Sequence, residues 1–347
     1  MTNEKIKINH FSSADTVPGQ GVGSAYLELI NLFKTNSKLK DDFDLRINKI
    51  KRSDISHYHT IDPWFLLTTF LPGRGVKVGY VHFLPETIQG SINLPKPLMK
   101  IFGWYIIYFY RRMDKLVVVN PSFKKELVKA ELNSEKIEYI PNFVNPKNFH
   151  LQTKTQINKN KKKLEINSKK PIIFGVGQVQ TRKGILTFVE LAKNNPNWQF
   201  IWAGGFSFGA ATDGYKELNK IVKNPPENLR FTGIIDRKAL NDYYNLADIF
   251  LLPSYSELFP MSILEAFATH TPVVVRDLDL YKDILQGAYL SGRNTKEIQA
   301  AIASLIKSKT AKDKMINKSK KASEYYSPEN IADKWDNFYK SLIKNNE

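Results

Sequence analysis

Ile249–Ala266 reads IFLLPSYSELFPMSILEA, and the fold follows outward from this stretch. Four apolar residues stop at Pro253, a polar segment follows, and apolar positions return at helical spacing from about Ser262. The expected structure is a buried strand, a loop at its carboxyl end, and a helix. Glu257 falls on the loop and Glu265 in the first turns of the helix. A helix start offers free backbone N–H groups and the positive end of a dipole, so it can hold a diphosphate with few lysines. Glu265 could accept hydrogen bonds from two neighbouring ribose hydroxyls. Two unrelated surface carboxylates would show the same spacing.

Upstream, Pro171–Gly177 (PIIFGVG) reads as another strand, running into Gly175–Gly184 (GVGQVQTRKG). Glycines let backbone approach a ligand closely, and Arg182 and Lys183 could neutralise a departing phosphate. A plain strand-to-helix loop fits these residues as well. Trp198–Gly204, Leu229–Gly233 and Pro272–Val275 are further strand candidates, with helices at Ile185–Lys193, Arg237–Leu246, Glu297–Lys307 and Pro328–Ile343. The first half repeats the pattern. Strands are expected at Lys5–Phe11, Ile55–His59, Val76–His82, Lys115–Val119 and Ile137–Ile140, with a helix at Ala25–Phe33. Alternating β and α units predict parallel sheets covered on both faces. Residues 151–170 hold seven lysines and one glutamate, and read as an interdomain linker or a solvated loop.

The 347-residue chain is long enough for two domains. The expected division is a first α/β domain at 1–150, a linker at 151–170, a second α/β domain at 171–325, and a terminal helix at 326–347. There is no cysteine, which excludes disulfides, thiolate metal sites and a cysteine nucleophile. Net charge is +17. Residues 1–170 carry 28 basic and 15 acidic groups, residues 171–300 carry 13 of each, and residues 301–347 carry 10 and 6. On this division the positive field belongs to the first half and the tail. The first residues lack the apolar core of a signal peptide, and the longest apolar run, Ile101–Tyr110, is half of the roughly 20 residues a membrane span needs. A cytoplasmic location is expected.

Taken together, these strings resemble the family-4 glycosyltransferases. The resemblance implies the GT-B architecture, two Rossmann-like domains facing each other across a cleft, with 1–150 the acceptor and membrane-facing domain and the terminal helix 326–347 returning to it. Glu257 and Glu265 match that family's E-x7-E pair, Gly177 and Lys183–Gly184 its phosphate loop, and Gly19–Gly23 (GQGVG) its first-domain glycine loop. His82 in GYVHF matches its active-site histidine. Gln178 stands where the family usually has Arg, Leu258 and His270 where it has Gly, and Asn145 where Asp is common. Separated strings such as HTIDPW, GYVHFLPET and GVGQVQTRKGI narrow the likeness to the glycolipid enzymes of Gram-positive bacteria. These are the α-galactosylglucosyldiacylglycerol and diglucosyldiacylglycerol synthases.

The resemblance implies transfer of a hexose, galactose favoured, from a UDP-sugar to monoglucosyl-diacylglycerol with retention, giving a glycolipid of the lipoteichoic-acid anchor type. His82, Glu257, Lys183 and Arg182 would be the catalytic set. Gly19, Gly21, Gly177, Gln178, Ile234, Phe259, Pro260, Met261, Ser262 and Glu265 would hold the donor, with Ile234 beside the uracil. No metal or cofactor is implied, since helix dipoles and cations can serve the diphosphate. His57 and His59 share a strand face and find no third ligand in the sequence pattern.

A membrane surface is suggested separately by Lys96–Lys115, where an aromatic run with Trp104 lies between Lys100 and Arg111–Arg112. Such a segment could also be a buried interdomain helix. With Lys161, Lys162 and Lys163 it would form a face toward anionic lipid on the cytoplasmic side, each cation adding on the order of 1 kcal/mol. Alternatives are a glucose-transferring enzyme of the same kind, a polysaccharide glycosyltransferase, and a basic nucleic-acid-binding protein. No helix-turn-helix or RNP-type motif supports the last, and nucleic acid is not an expected partner.

Overall fold

A computed structural model describes residues 4–14, 21–82, 84–85, 95–166 and 169–344. Gly19 lies outside the described residues. The chain divides into two compact units. One comprises residues 1–143 and 328–347, the other residues 144–327.

The first unit holds a six-stranded parallel sheet. Its strands are β1 (Ile6–Phe11), β2 (Phe43–Ile47), β3 (Ile55–Tyr58), β4 (Val76–Val81), β5 (Lys115–Val118) and β6 (Ile137–Tyr139), in the order β2-β1-β3-β4-β5-β6. Five of the six lie where the sequence placed them. β2, FDLRI, was not expected. It is a strand end to end, yet it alternates apolar residues with Asp44 and Arg46, which pair with each other at 2.6 Å. It hydrogen-bonds β1 alone, an edge position that tolerates charge. The terminal helix Pro328–Lys344 belongs to this unit. It buries Ile331, Trp335, Tyr339 and Leu342. It is also tied by Lys38 to Asp333 and Asp336, each at 2.9 Å, and by Lys340 to Asp42 at 2.6 Å.

The second unit holds β7 (Ile172–Val176), β8 (Gln199–Ala203), β9 (Leu229–Phe231), β10 (Ile249–Leu252), β11 (Val273–Arg276) and β12 (Leu290–Gly292). All are parallel, in the order β12-β11-β10-β7-β8-β9. This is the strand order of dinucleotide-binding folds, with the order reversing between β7 and β10. Ile173, Phe188, Trp202, Leu251, Val274 and Ile302 form its core. Ligands in such sheets bind beyond the carboxyl ends of the strands at that reversal. Both segments singled out from sequence begin there.

Within the segment read as a linker, residues 154–163 are folded and group with the second unit. Lys154–Lys163 is a helix opened by a reciprocal Thr153–Gln156 cap. It docks on helix Arg237–Leu246, where Asp242 accepts from Gln152 at 2.7 Å and Asn160 at 2.9 Å. Side-chain amides rather than apolar burial hold it, so its lysine-rich sequence reads as unstructured. Moving it into the second unit also reverses the charge division. The first unit carries 23 basic and 18 acidic residues, a net +5; the second carries 28 and 16, a net +12. The expected neutral second domain is therefore replaced by the more basic of the two.

Candidate functional site

β7 is followed by Gly177, whose φ of +147° turns the chain out of the sheet. The backbone then runs through Gln178, half-buried, to a short turn Thr181–Lys183 and Gly184. Gly184 has φ +70°, and a Cβ there would lie 2.2 Å from the Pro253 carbonyl oxygen. A side chain would therefore push this loop off the one that follows β10. The two loops are joined further by Tyr255 N–H donating to the Arg182 carbonyl at 2.8 Å, and by Arg182 Nη1 donating to the Ser256 carbonyl at 2.6 Å.

This seam brings Lys183 to Glu257. Nζ donates to Oε1 at 2.6 Å, and Arg182 Nη1 stands 3.7 Å from Oε2. The Glu257 side chain is 5% exposed. Burial opposes its charge, but the neighbouring Lys183 and Arg182 outweigh it and hold the carboxyl below its ordinary range. Burial lowers the Lys183 ammonium, with Glu257 resisting. Seventy-four residues of chain separate this pair, so proximity is a product of the β7–β10 adjacency.

Helix Met261–Ala268 starts directly beyond, with Pro260 at its cap and no side chain capping it. Phe259 and Met261 are buried, and Ser262 is half-buried. Glu265, one turn in, is 4% exposed. Its Oε1 meets Arg237 Nη2 at 3.1 Å and its Oε2 accepts from Tyr244 Oη at 2.8 Å. Burial still leaves its carboxyl above the ordinary range; Arg237 and Tyr244 pull the other way without cancelling it. Ile234 follows Gly233 at the ends of β8 and β9, where Gly204 and Gly233 bridge, and it is 61% exposed beside Gly205. An apolar side chain held in the open there can face a planar ring.

Sequence reasoning missed three supporting residues. Arg237 and Tyr244 lie on a separate helix and reach Glu265 only in the folded unit. Arg276, buried at the end of β11, donates to the Pro253 carbonyl at 3.0 Å and to Thr187 Oγ1 at 2.8 Å, and its guanidinium lies 4.0 Å from the Tyr255 ring centre. It fixes the start of the Glu257 loop. An isolated arginine in a strand carries no sequence signal for that task.

In the first unit His82 follows β4 and is buried against Tyr80, ring centres 4.3 Å apart. Burial pushes its imidazole down to about 3, so it is neutral. Gly21 opens helix Gly21–Thr35. His57 and His59 do find a third histidine, contrary to expectation. His10 on neighbouring β1 places its Nδ1 2.8 Å from His59 Nε2, and the candidate ligand atoms of all three lie within 4.8 Å. Among the described residues this is the one such group. Tyr339 meets His57 Nδ1 at 2.6 Å, and the rings pack among Phe33, Tyr26, Tyr80 and Trp335. Burial drives all three imidazoles toward the neutral form. The group contains no carboxylate to offset a divalent charge. Its visible role is a polar-edged aromatic core.

Residues 20–148 match the profile of Glycosyltransferase Family 4, and residues 156–322 that of Glycosyl transferases group 1. The chain belongs to this glycosyltransferase family. It is 44% identical over 98% of its length to the alpha-galactosylglucosyldiacylglycerol synthase of Streptococcus pneumoniae, covering 90% of that protein. It is 32% identical over 53% of its length to the processive diacylglycerol alpha-glucosyltransferase of Acholeplasma laidlawii, covering 54% of it. The fold matches sucrose-phosphate synthase from Thermosynechococcus elongatus at TM-score 0.78 and 16% identity, covering 98% of this chain and all of that one. It matches Anabaena HepE in complex with UDP and glucose at TM-score 0.76 and 14% identity, covering 97% and all.

Proposed function

We propose that this protein transfers a hexose, galactose in preference to glucose, from a UDP-sugar to monoglucosyl-diacylglycerol with retention of anomeric configuration. The 44% identity along nearly the whole chain to a diacylglycerol glycolipid synthase carries the acceptor assignment. The donor assignment is supported by the seam at the β7–β10 reversal. There a lysine, a carboxylate and an uncapped helix start converge.

In this reading the diphosphate lies at the start of helix Met261–Ala268, against backbone N–H groups near Phe259–Ser262, with Gly177 and Gln178 lining the other side. Lys183 offsets the charge that grows on the leaving diphosphate. Glu257, kept ionised, orients Lys183 and accepts from hydroxyls of the transferred sugar. Arg182, committed to the Ser256 carbonyl, positions the loop and adds positive potential. Glu265 accepts from the ribose hydroxyls, and Ile234 flanks the uracil. His82, neutral, offers a hydrogen bond to the acceptor hydroxyl or the donor sugar. No metal takes part, because the cations and the helix dipole supply the charge. The lipid acceptor stays in its bilayer, so the enzyme works as a peripheral protein of the cytoplasmic membrane face. No helix among the described residues is long and apolar enough to cross a membrane.

The deciding experiment offers UDP-glucose and UDP-galactose separately with glucosyl-diacylglycerol in mixed micelles and reads the product by NMR. An α-linked galactosyl product is expected. A β-linked product, or no transfer from either donor, overturns the reading.

A further inference from the structure

Helix Lys96–Arg111 is apolar on two sides. One side packs inward through Ile106, Phe109 and Tyr110, each no more than 1% exposed. Leu98, Ile101 and Trp104, three residues apart, are instead exposed at 51, 63 and 65%. Trp104 stacks on Tyr108 one turn on, with ring centres 5.3 Å apart. A helix that is hydrophobic all round belongs inside something.

A second element packs beside this helix. Helix Pro63–Thr68 and the turn after it bury Phe65 and Thr68, while Trp64, Leu67, Phe70 and Leu71 are 63, 57, 55 and 43% exposed. The two elements are fastened together. Tyr105 Oη donates to the Ile61 carbonyl at 2.6 Å. The Arg112 guanidinium lies 4.3 Å from the Phe70 ring centre and donates to the Thr69 carbonyl at 3.4 Å. Seven large apolar side chains thus lie exposed on two joined elements. Scattered single residues would be unremarkable, but exposed apolar side chains gathered on two elements fastened together in this way mark an interaction surface.

The charge around the patch selects its occupant. The sequences PWFLLTTFL and KPLMKIFGWYIIYFYR contain no acidic residue; Lys100 lies between Leu98 and Ile101 in the chain and Arg112 covers the Phe70 ring, while Arg111 pairs with Glu131 at 3.3 Å. Tryptophan, leucine and long cations with no acid are the composition that settles at the boundary between headgroups and acyl chains. A protein partner would be expected to bring the mixed charge this surface lacks. The geometry points to a two-element docking face, Trp64–Leu71 together with Leu98–Trp104, that seats the first unit on an anionic lipid bilayer. It deepens the proposed glycolipid activity by assigning the membrane contact. It needs neither the overall charge of the unit nor Lys161–Lys163, which belong to the other unit.

The test uses the full chain and vesicles of phosphatidylcholine with and without phosphatidylglycerol. One variant carries Trp64→Ser, Leu67→Ser and Leu71→Ser, and another Leu98→Ser, Ile101→Ser and Trp104→Ser. Circular dichroism and Tm check that both remain folded. Each is expected to lower sedimentation with anionic vesicles by about tenfold or more. Transfer to glucosyl-diacylglycerol in vesicles should fall with it, and transfer in detergent micelles should not. Brominated lipid should quench the parent's emission, and Trp64→Phe should remove part of that quenching. Parent-like sedimentation of the first variant, or quenching indifferent to Trp64→Phe, overturns the inference. So does a dimeric parent that the first variant turns monomeric with vesicle binding unaltered. If both variants lose vesicle binding while the parent transfers no hexose even in micelles, the docking face stands and the glycolipid reading fails.

Discussion

At the scale of single residues the seam between the loops after β7 and β10 depends on a buried pair. Removing one partner of such a pair leaves an uncompensated charge and costs about 3 kcal/mol, whereas removing both leaves none. Lys183→Ala is therefore expected to lower transfer on the order of 100-fold and to reduce Tm. Adding Glu257→Ala to it should restore stability without restoring activity. Thermal denaturation and turnover of the two singles and the double check this. Glu265 has the opposite sign. Its carboxyl is held above its ordinary range by burial. Its favourable contribution is thus present below its unfolded value and lost as pH rises through the folded one. Glu265→Gln should melt higher than the parent at about pH 7, with the difference shrinking as pH falls toward about 4.5. On the proposed donor site its transfer rate should fall, since the ionised acceptor assigned to ribose is lost. A variant that melts lower at neutral pH would refute the account of Glu265.

At the scale of elements, helix Met261–Ala268 matters for how it starts and how it stops. Its start is left uncapped, and its end is strained. His270 sits at φ +57°, with its N–H donating to the Phe267 carbonyl and the Thr271 N–H donating to that of Ala266. That left-handed position suits glycine, and a side chain there costs about 1 kcal/mol. His270→Gly should raise Tm by a few degrees and leave transfer unchanged, as differential scanning calorimetry and a turnover assay would show. Unchanged Tm would mean the loop relaxes the strain. Helix Lys154–Lys163, by contrast, escaped sequence reasoning. Its stability comes from amide hydrogen bonds to Asp242, which no hydrophobic period records.

At the scale of the whole molecule the terminal helix is part of the first unit although it follows the second in sequence. Trp335, Tyr339, Ile331 and Leu342 each bury the equivalent of about 2 kcal/mol of apolar surface. Together this is comparable with the 5–15 kcal/mol that stabilises an ordinary domain. Truncation after Ser327 is expected to abolish folding of residues 1–143 and to expose dye-binding surface, while leaving the second unit able to bind UDP. Dye fluorescence and UDP calorimetry on the truncated chain would check both halves. If, as proposed, Lys183 and the helix start supply the positive charge, transfer by the intact enzyme should survive EDTA; loss on chelation would point back to His10, His57 and His59.

The α/β class, most strands, and the Glu257, Glu265 and Lys183 candidates were legible in the sequence. Strand runs, turn glycines and helix starts are local signals, each written in a few neighbouring residues. Other features became visible only in the folded chain. The Lys183–Glu257 pair, Arg237 and Tyr244 on Glu265, Arg276 under the Glu257 loop, and the third histidine all join residues far apart along the chain. So does the division of charge, which local counting assigned to the first half and the fold assigns to the second unit. Sequence fixes which groups the chain possesses and which segments are helix or strand. Strand order decides which of those groups meet, because parallel crossovers bring distant loops to one end of a sheet.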